Sequence, residues 1–199
     1  SFKLQKYFES IKYGEELINS EGFENDLQIL QILGTAHSIK ENYDKANTYF
    51  EKYLNFNTKS EVVKYNLGLN YYKQRNFNKA QDQFDKLVSE NENYRDSELF
   101  LGIIQSELND FDNAITSFQN LIDKNIYLAE SFFNLGIVYQ KKNQFKSSIK
   151  YFKLAIEKNN QHFQFFNSLG ISYQKLFDYE NAEDAYKKSI SLNDKNSNA

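Results

Sequence analysis

Two histidines, His37 and His162, are the side chains best suited to acid–base or metal chemistry, and they stand near opposite ends of the 199-residue chain. Side chains that far apart in sequence need a fold that brings them together before they can share a proton or a metal. No cysteine is present, which excludes thiol nucleophiles, thiolate ligands and disulfides. No H-E-x-x-H pair, G-x-S-x-G elbow or Gly-rich phosphate loop occurs. The aspartates and glutamates fall at helix-surface and helix-cap spacings rather than in facing pairs. These residues predict no enzymatic reaction, no cofactor and no metal. His37 reads as a packed core side chain.

What recurs is a set of packing residues. Leu-Gly pairs stand at Leu33-Gly34, Leu67-Gly68, Leu101-Gly102, Leu135-Gly136 and Leu169-Gly170, each thirty-four residues after the last. Nine residues after each glycine is an aromatic: Tyr43, Phe77, Phe111, Phe145 and Tyr179. Twelve after is a small residue: Ala46, Ala80, Ala114, Ser148 and Ala182. Sixteen after is a second aromatic: Phe50, Phe84, Phe118, Phe152 and Tyr186. The apolar spacing within each interval is that of two amphipathic helices of roughly thirteen residues, about 20 Å long. Glycine inside a helix costs about 1 kcal/mol relative to alanine. Its repetition therefore predicts a close approach, with the backbone of the second helix and the small residue twelve positions on as the other side of the contact. The two aromatics are expected to plug the groove between neighbouring helices. On this reading His37 and His162 lie almost four repeats apart and cannot act together.

The pattern resembles the tetratricopeptide repeat, which has this period and a W-x2-L-G-x2-Y…A-x3-F…P signature. The resemblance runs from residue 27 to about residue 196. It departs from the signature at the Trp position, held here by Leu30, Lys64, Glu98, Phe132 and Phe166, and at the Pro position, since the chain has no proline. The turns between repeats are therefore expected from Asn, Asp and Lys. The resemblance implies an all-α fold, a right-handed superhelical α-solenoid of helix-turn-helix repeats. The repeats fall at 27–60, 61–94, 95–128, 129–162 and 163–196. A partial repeat resembling a second helix, with its turn, occupies 1–26, and 197–199 form a frayed tail. The Asn/Ser-rich composition extends that tail back to Asn193.

Composition narrows the class further. The formal net charge is −3, which argues against nucleic acid as a partner. No apolar run of about 18 residues exists to span a membrane. A soluble chain is expected, with the cytoplasm favoured among the compartments that a cysteine-free sequence leaves open. Residue 1 is not methionine, which suggests a chain processed or excerpted from something longer. Leu4, Tyr7, Phe8, Ile11, Leu17 and Ile18 share one helix face. The lysines around them are balanced by Glu9, Glu15 and Glu16, so this segment reads as an edge helix packed on the array rather than a membrane-surface helix. Acidic residues gather in the second and third repeats (Glu90, Glu92, Asp96, Glu98, Glu107, Asp110, Asp112). Lysines gather in the fourth (Lys141, Lys142, Lys146, Lys150, Lys153, Lys158). Solvated outer faces are the plainer reading of both.

In the family, the first helices line a concave face that binds extended peptides or helices. The resemblance places Gln31, Ile32, Thr35 and Ser38 of the first repeat on that face, then Tyr65, Asn66, Leu69 and Tyr72 of the second. The third repeat contributes Leu99, Phe100, Ile103 and Ser106. The fourth contributes Phe133, Asn134, Ile137 and Gln140, and the fifth Asn167, Ser168, Ile171 and Gln174. Tyr65, Leu69, Leu99, Phe100, Ile103, Phe133 and Ile137 form an apolar stripe, expected to be wet in the lone array unless superhelical winding covers part of it. Asn66 and Asn134 occupy places where related arrays hold a peptide backbone. The carboxylate clamp for acidic chaperone tails is not matched: its lysine and asparagine places hold Gln31, Tyr65, Leu99, Phe133 and Asn167, then Thr35, Leu69, Ile103, Ile137 and Ile171. The expected function is a protein–protein interaction scaffold that binds a peptide or helix in an apolar groove. The alternatives are a self-assembling subunit joined head to tail through unsealed ends, and a targeting arm of a larger enzyme such as a glycosyl- or sulfotransferase.

Overall fold

The computed structural model describes residues 2–90 and 95–197, with side chains described within 7–90 and 96–193. Among these residues the regular structure is helical, with no strand. Helix α1 (Phe2–Ile18) leads into five hairpins. These are α2 (Leu27–Ile39) with α3 (Tyr43–Phe56), α4 (Glu61–Lys73) with α5 (Phe77–Glu90), α6 (Arg95–Glu107) with α7 (Phe111–Asp123), α8 (Leu128–Lys141) with α9 (Phe145–Lys158), and α10 (Phe163–Lys175) with α11 (Tyr179–Ser197). The aromatic nine residues after each glycine is the first residue of each second helix. Helix α11 continues to Ser197, where composition had suggested a frayed tail from Asn193; residues 198–199 lie outside the described residues.

The chain forms two compact units, Ser1–Ser97 and Glu98–Ala199. In the first, α1 packs on α2, α2 on α3, α3 on α4, and α4 on α5. Its core is built on Leu30, Leu33, Phe50, Val63, Phe84 and Leu87, all fully buried. In the second unit, Ala114, Phe118, Leu135 and Val138 form one cluster, which Leu99 and Ile103 of α6 pack against. Phe152, Leu169 and Ala185 form another. Apolar burial of this kind, repeated from hairpin to hairpin, is what stabilises an array without a single centre.

The helical glycines answer to a different neighbour than expected. A Cβ on Gly34, Gly68, Gly102, Gly136 or Gly170 would meet the ring of Phe50, Phe84, Phe118, Phe152 or Tyr186, at 2.4 to 2.8 Å. The contact is therefore with the aromatic sixteen residues on, rather than with second-helix backbone or the small residue at twelve. The ring crosses the first helix where a methyl would otherwise stand.

The tight turn inside each hairpin has one recurring geometry. The residue seven after each glycine is left-handed: Glu41, Arg75, Asn109, Asn143 and Phe177, with φ between 58° and 62°. Only two are asparagine. The next amide donates back across the turn, as Asn76 does to the Tyr71 carbonyl at 2.8 Å and Asp178 to the Tyr173 carbonyl at 3.0 Å. This six-to-one bond closes the C-terminus of the first helix. It holds a side chain in a conformation that glycine adopts more readily.

Candidate functional site

In the first unit, most of the residues expected on the concave face line two open troughs that meet at Thr35. One, about 280 Å³, lies between α1 and α2 and is bordered by Tyr7, Ser10, Gln31, Ile32 and Thr35. The other, about 240 Å³, is bordered by Thr35, Ser38, Ile39, Asn66, Leu69 and Lys73. Ile32 is 51% exposed and Ile39 is also exposed, so the floor of this double trough is apolar and accessible. Tyr65 and Tyr72 are half-buried and lie outside both linings. The Tyr65 ring meets Phe84 edge-on at 5.7 Å, and the Tyr72 ring lies 5.8 Å from that of Phe77.

In the second unit the stripe is largely spent on packing. Leu99 and Ile103 lie against the Phe118–Leu135 cluster, and Ile137 against the Phe152–Leu169 cluster. Phe133 stacks on Phe165 with ring centres 4.6 Å apart. Phe100 and Ile171 are half-buried, and Asn167 is exposed. The expectation of a wet stripe is thus corrected to a half-covered one, because each first helix is overlain by its neighbours. Asn134 donates its side-chain amide to the Glu130 carbonyl at 2.9 Å. Gln140 donates to Ser172 Oγ at 2.9 Å and to the Ser168 carbonyl at 3.3 Å. A side chain expected to face a partner is here tied to the next hairpin.

Sequence reading missed two groups. Tyr7 and Ser10 of α1 join the trough, though α1 has no place in the first-helix series. The second residue after certain glycines is a buried polar group joining hairpins. Asn70 donates to Ser38 Oγ at 2.8 Å and to Asn47 Oδ1 at 2.9 Å, and Asn47 donates to Gln74 Oε1 at 2.8 Å. Ser148 donates to Ser172 Oγ at 2.8 Å. The available signal was polarity: that position holds Ala36, Asn70, Ile104, Val138 and Ser172, and only the second and last are polar.

Some charges are paired across helices. The signature Trp position carries Lys64, which donates to Glu90, and Glu98, which accepts from Lys124 at 3.3 Å. Lys141 reaches Glu107 at 2.9 Å and Lys142 reaches Asp112 at 3.6 Å, so the acidic and basic groups of the third and fourth repeats partly satisfy each other. His37 is buried, stacked on Tyr49 with ring centres 5.7 Å apart, and its Nε2 lies 3.3 Å from Glu15 Oε1. Burial holds the imidazole below its ordinary pKa, against the opposing pull of Glu15. The hydrogen bond from Lys45 Nζ, at 3.0 Å, keeps the Glu15 carboxyl below its usual range. Burial and its bond to Glu51 push the Tyr71 phenol far above its usual range. His162 is exposed beside Phe165. Among the described residues, no group of three or more His, Asp and Glu side chains is placed to hold a metal. Among the same residues, no helix is long and apolar enough to cross a membrane.

Comparison with known proteins agrees with this architecture. Two tetratricopeptide repeat family profiles match, one over residues 27–59, 129–162 and 163–196, the other over 65–129. No curated protein sequence matches. Among solved structures, a tetratricopeptide repeat protein from Parabacteroides merdae is similar at 15% identity and a TM-score of 0.78, covering 94% of this chain and 80% of that one. MamA from Desulfovibrio magneticus is similar at 14% identity and a TM-score of 0.74, covering 85% and 96%. YrrB, described as a protein with an unusual peptide-binding site, is similar at 18% identity and a TM-score of 0.64, covering 90% and 91%. These likenesses concern the fold. The chain belongs to the tetratricopeptide repeat family.

Proposed function

We propose that this chain is an interaction scaffold that holds a peptide or amphipathic helix of another protein against its first helices, through apolar contacts and without a carboxylate clamp, and that it carries out no reaction itself. The observation that carries the reading is the double trough of the first unit, where accessible Ile32 and Ile39 lie beside Tyr7, Thr35 and Leu69. Apolar anchors in a concavity, with a few polar groups to fix orientation, are what a helix-in-groove partner requires. Asn66 and Lys73 supply such groups here. The peptide-binding site of YrrB supports the reading by analogy of fold. The double change Ile32→Lys with Leu69→Lys is expected to abolish recovery of the partner in a pull-down while leaving the melting temperature unchanged. Undiminished recovery would overturn the reading.

A second reading, a self-assembling subunit, is favoured by exposed rings on the terminal helices: Phe8 and Tyr13 of α1, and Tyr179 of α11. Light scattering over a concentration series separates the two, since a strict monomer at high concentration rules out assembly.

A further inference from the structure

The left-handed residue at the tip of each hairpin is polar and exposed in the first four repeats: Glu41, Arg75, Asn109 and Asn143. Each of these is followed by a further hairpin, so this place faces solvent whether or not one comes next. In the fifth repeat the place holds Phe177, 77% exposed, beside an exposed Leu176. The exposure of that ring therefore belongs to the turn itself. Two things count against phenylalanine here. Its Cβ strains a left-handed backbone that glycine or asparagine adopts more readily. Its ring is left in water, meeting that of Tyr179 edge-on with centres 6.4 Å apart. Bulky side chains held at such a φ gather where a protein grips a ligand or a partner. The turn also fixes the ring outward in advance, so little freedom is lost when it docks.

The first unit of the same chain offers a matching cavity. Its two troughs meet at Thr35 and hold about 280 and 240 Å³. Both fall below the roughly 300–1,000 Å³ of small-molecule pockets. Each suits one large side chain, and Leu176 and Phe177 are two such side chains, adjacent on one turn. Charge agrees with the fit. Lys73 is the one charged residue that borders either trough among the described residues. The tip is acidic on balance, with Asp178 and Glu180 after the ring against Lys175 before Leu176.

We propose that the Leu176–Phe177 tip of one copy of this chain docks into the double trough of a second copy. The two apolar side chains seat against Ile32, Ile39 and Leu69, and Lys73 faces the acidic flank of the tip. The inference rests on the trough being a receptor, as proposed above, and names the ligand that fills it when no other partner does. Tip and trough are different surfaces, so the contact is heterologous. A copy that gives its tip still has its own trough to offer.

The test uses the whole chain, immobilised at low density and titrated with itself in biolayer interferometry. Saturable self-capture is expected for the wild type. Phe177→Gly should weaken it at least tenfold, and so should Ile32→Lys with Ile39→Lys. All three positions are exposed, so both variants should keep the wild-type circular dichroism and a melting temperature no lower than wild type. Lys73→Glu should weaken self-capture several-fold. The decisive arm mixes the two variants: immobilised Phe177→Gly, with its trough intact, should capture the Ile32→Lys, Ile39→Lys variant, whose tip is intact, as tightly as wild type captures wild type. Absence of wild-type self-capture overturns the proposal, as does failure of the mixed pair to associate. If recovery of another protein is still abolished by Ile32→Lys with Leu69→Lys in that case, the scaffold reading stands and this inference alone falls. Self-capture lost with Phe177→Gly but untouched by the trough variant also overturns it, because the tip then docks elsewhere.

Discussion

A Cβ built on Gly136 stands 2.4 Å from Cε1 of Phe152, a ring that is fully buried. The glycine is a seat for that ring. Alanine in a helix interior ordinarily gains about 1 kcal/mol over glycine. Here it must displace an aromatic packed on every side, and overpacking of this kind costs about 1–3 kcal/mol. Gly136→Ala is therefore expected to destabilise. Phe152→Ala should cost about 3–5 kcal/mol through the cavity it leaves. With that cavity present, Gly136→Ala should become neutral or stabilising, so urea denaturation of the two single variants and the double variant should show strong coupling.

Phe177 is 77% exposed and left-handed at φ 62°. A left-handed conformation costs a residue with a Cβ roughly 1–2 kcal/mol, while glycine adopts it freely at some cost in unfolded-state entropy. The balance favours glycine, because little of the ring is packed. Phe177→Gly is expected to raise stability by about 0.5–1 kcal/mol, seen as an increase in the denaturant midpoint at unchanged slope. An unchanged or lower midpoint would show that the ring contributes more than its exposure implies.

The His37–Glu15–Lys45 cluster predicts an acid-sensitive joint between α1, α2 and α3. Burial holds the folded His37 below its ordinary value of 6.5. As pH falls through that value, the unfolded chain takes up a proton that the folded chain resists, so stability falls. The Glu15 carboxyl, lowered by its bond to Lys45, acts in the same direction at lower pH: its contribution is present above its ordinary value of 4.5 and lost as pH falls through the folded value. Stability should therefore decline from pH 7 toward pH 5, with a limiting slope of about 1.4 kcal/mol per pH unit from one proton. His37→Tyr, which installs the residue found at this place in three other repeats, should flatten the decline. Denaturant midpoints measured across this range give the slope directly.

Lys64 is buried and Glu90 half-exposed, and the ammonium donates to the carboxylate. Removing one partner leaves the other charge without compensation, whereas replacing both with apolar residues removes the desolvation cost as well. Glu90→Ala is expected to destabilise by about 3 kcal/mol, because it strands the buried Lys64 ammonium, whereas a Glu90 left alone would stay hydrated. Lys64→Leu combined with Glu90→Leu should come within about 1 kcal/mol of wild type, because volume-conserving apolar filling is tolerated at such sites. Thermal or urea unfolding of the three proteins checks the order.

Much of the fold is legible in the primary structure because a helix face announces itself by spacing. Leu135, Gly136 and Tyr139 mark one face of α8, and Phe145, Ser148 and Phe152 mark one face of α9. Spacing does not state how far a neighbour covers that face. Phe133 and Ile103 therefore read as bare but are half-buried under Phe165 and the Phe118 cluster. The glycine contact was misassigned because Phe152 and Ser148 lie one turn apart on the same face, and only the ring has the reach. The left-handed places at Glu41, Arg75 and Phe177 carried no local signal, since none of these residues prefers that conformation. The turn geometry there is imposed by the packing of the two helices it joins. Ion pairs twenty-six residues apart, Lys64 with Glu90 and Glu98 with Lys124, became recognisable only once the hairpins were closed.

Chains built from near-identical hairpins run the risk of docking one helix against the counterpart of its rightful neighbour. The opposite polarity of the Lys64–Glu90 and Glu98–Lys124 pairs acts against that error. If α4 were to close on α7, two ammonium groups would be driven together; if α6 were to close on α5, two carboxylates would be. These two hairpins thus carry marks that a mate answers and a sibling repels, which steers the chain away from exchanging their second helices.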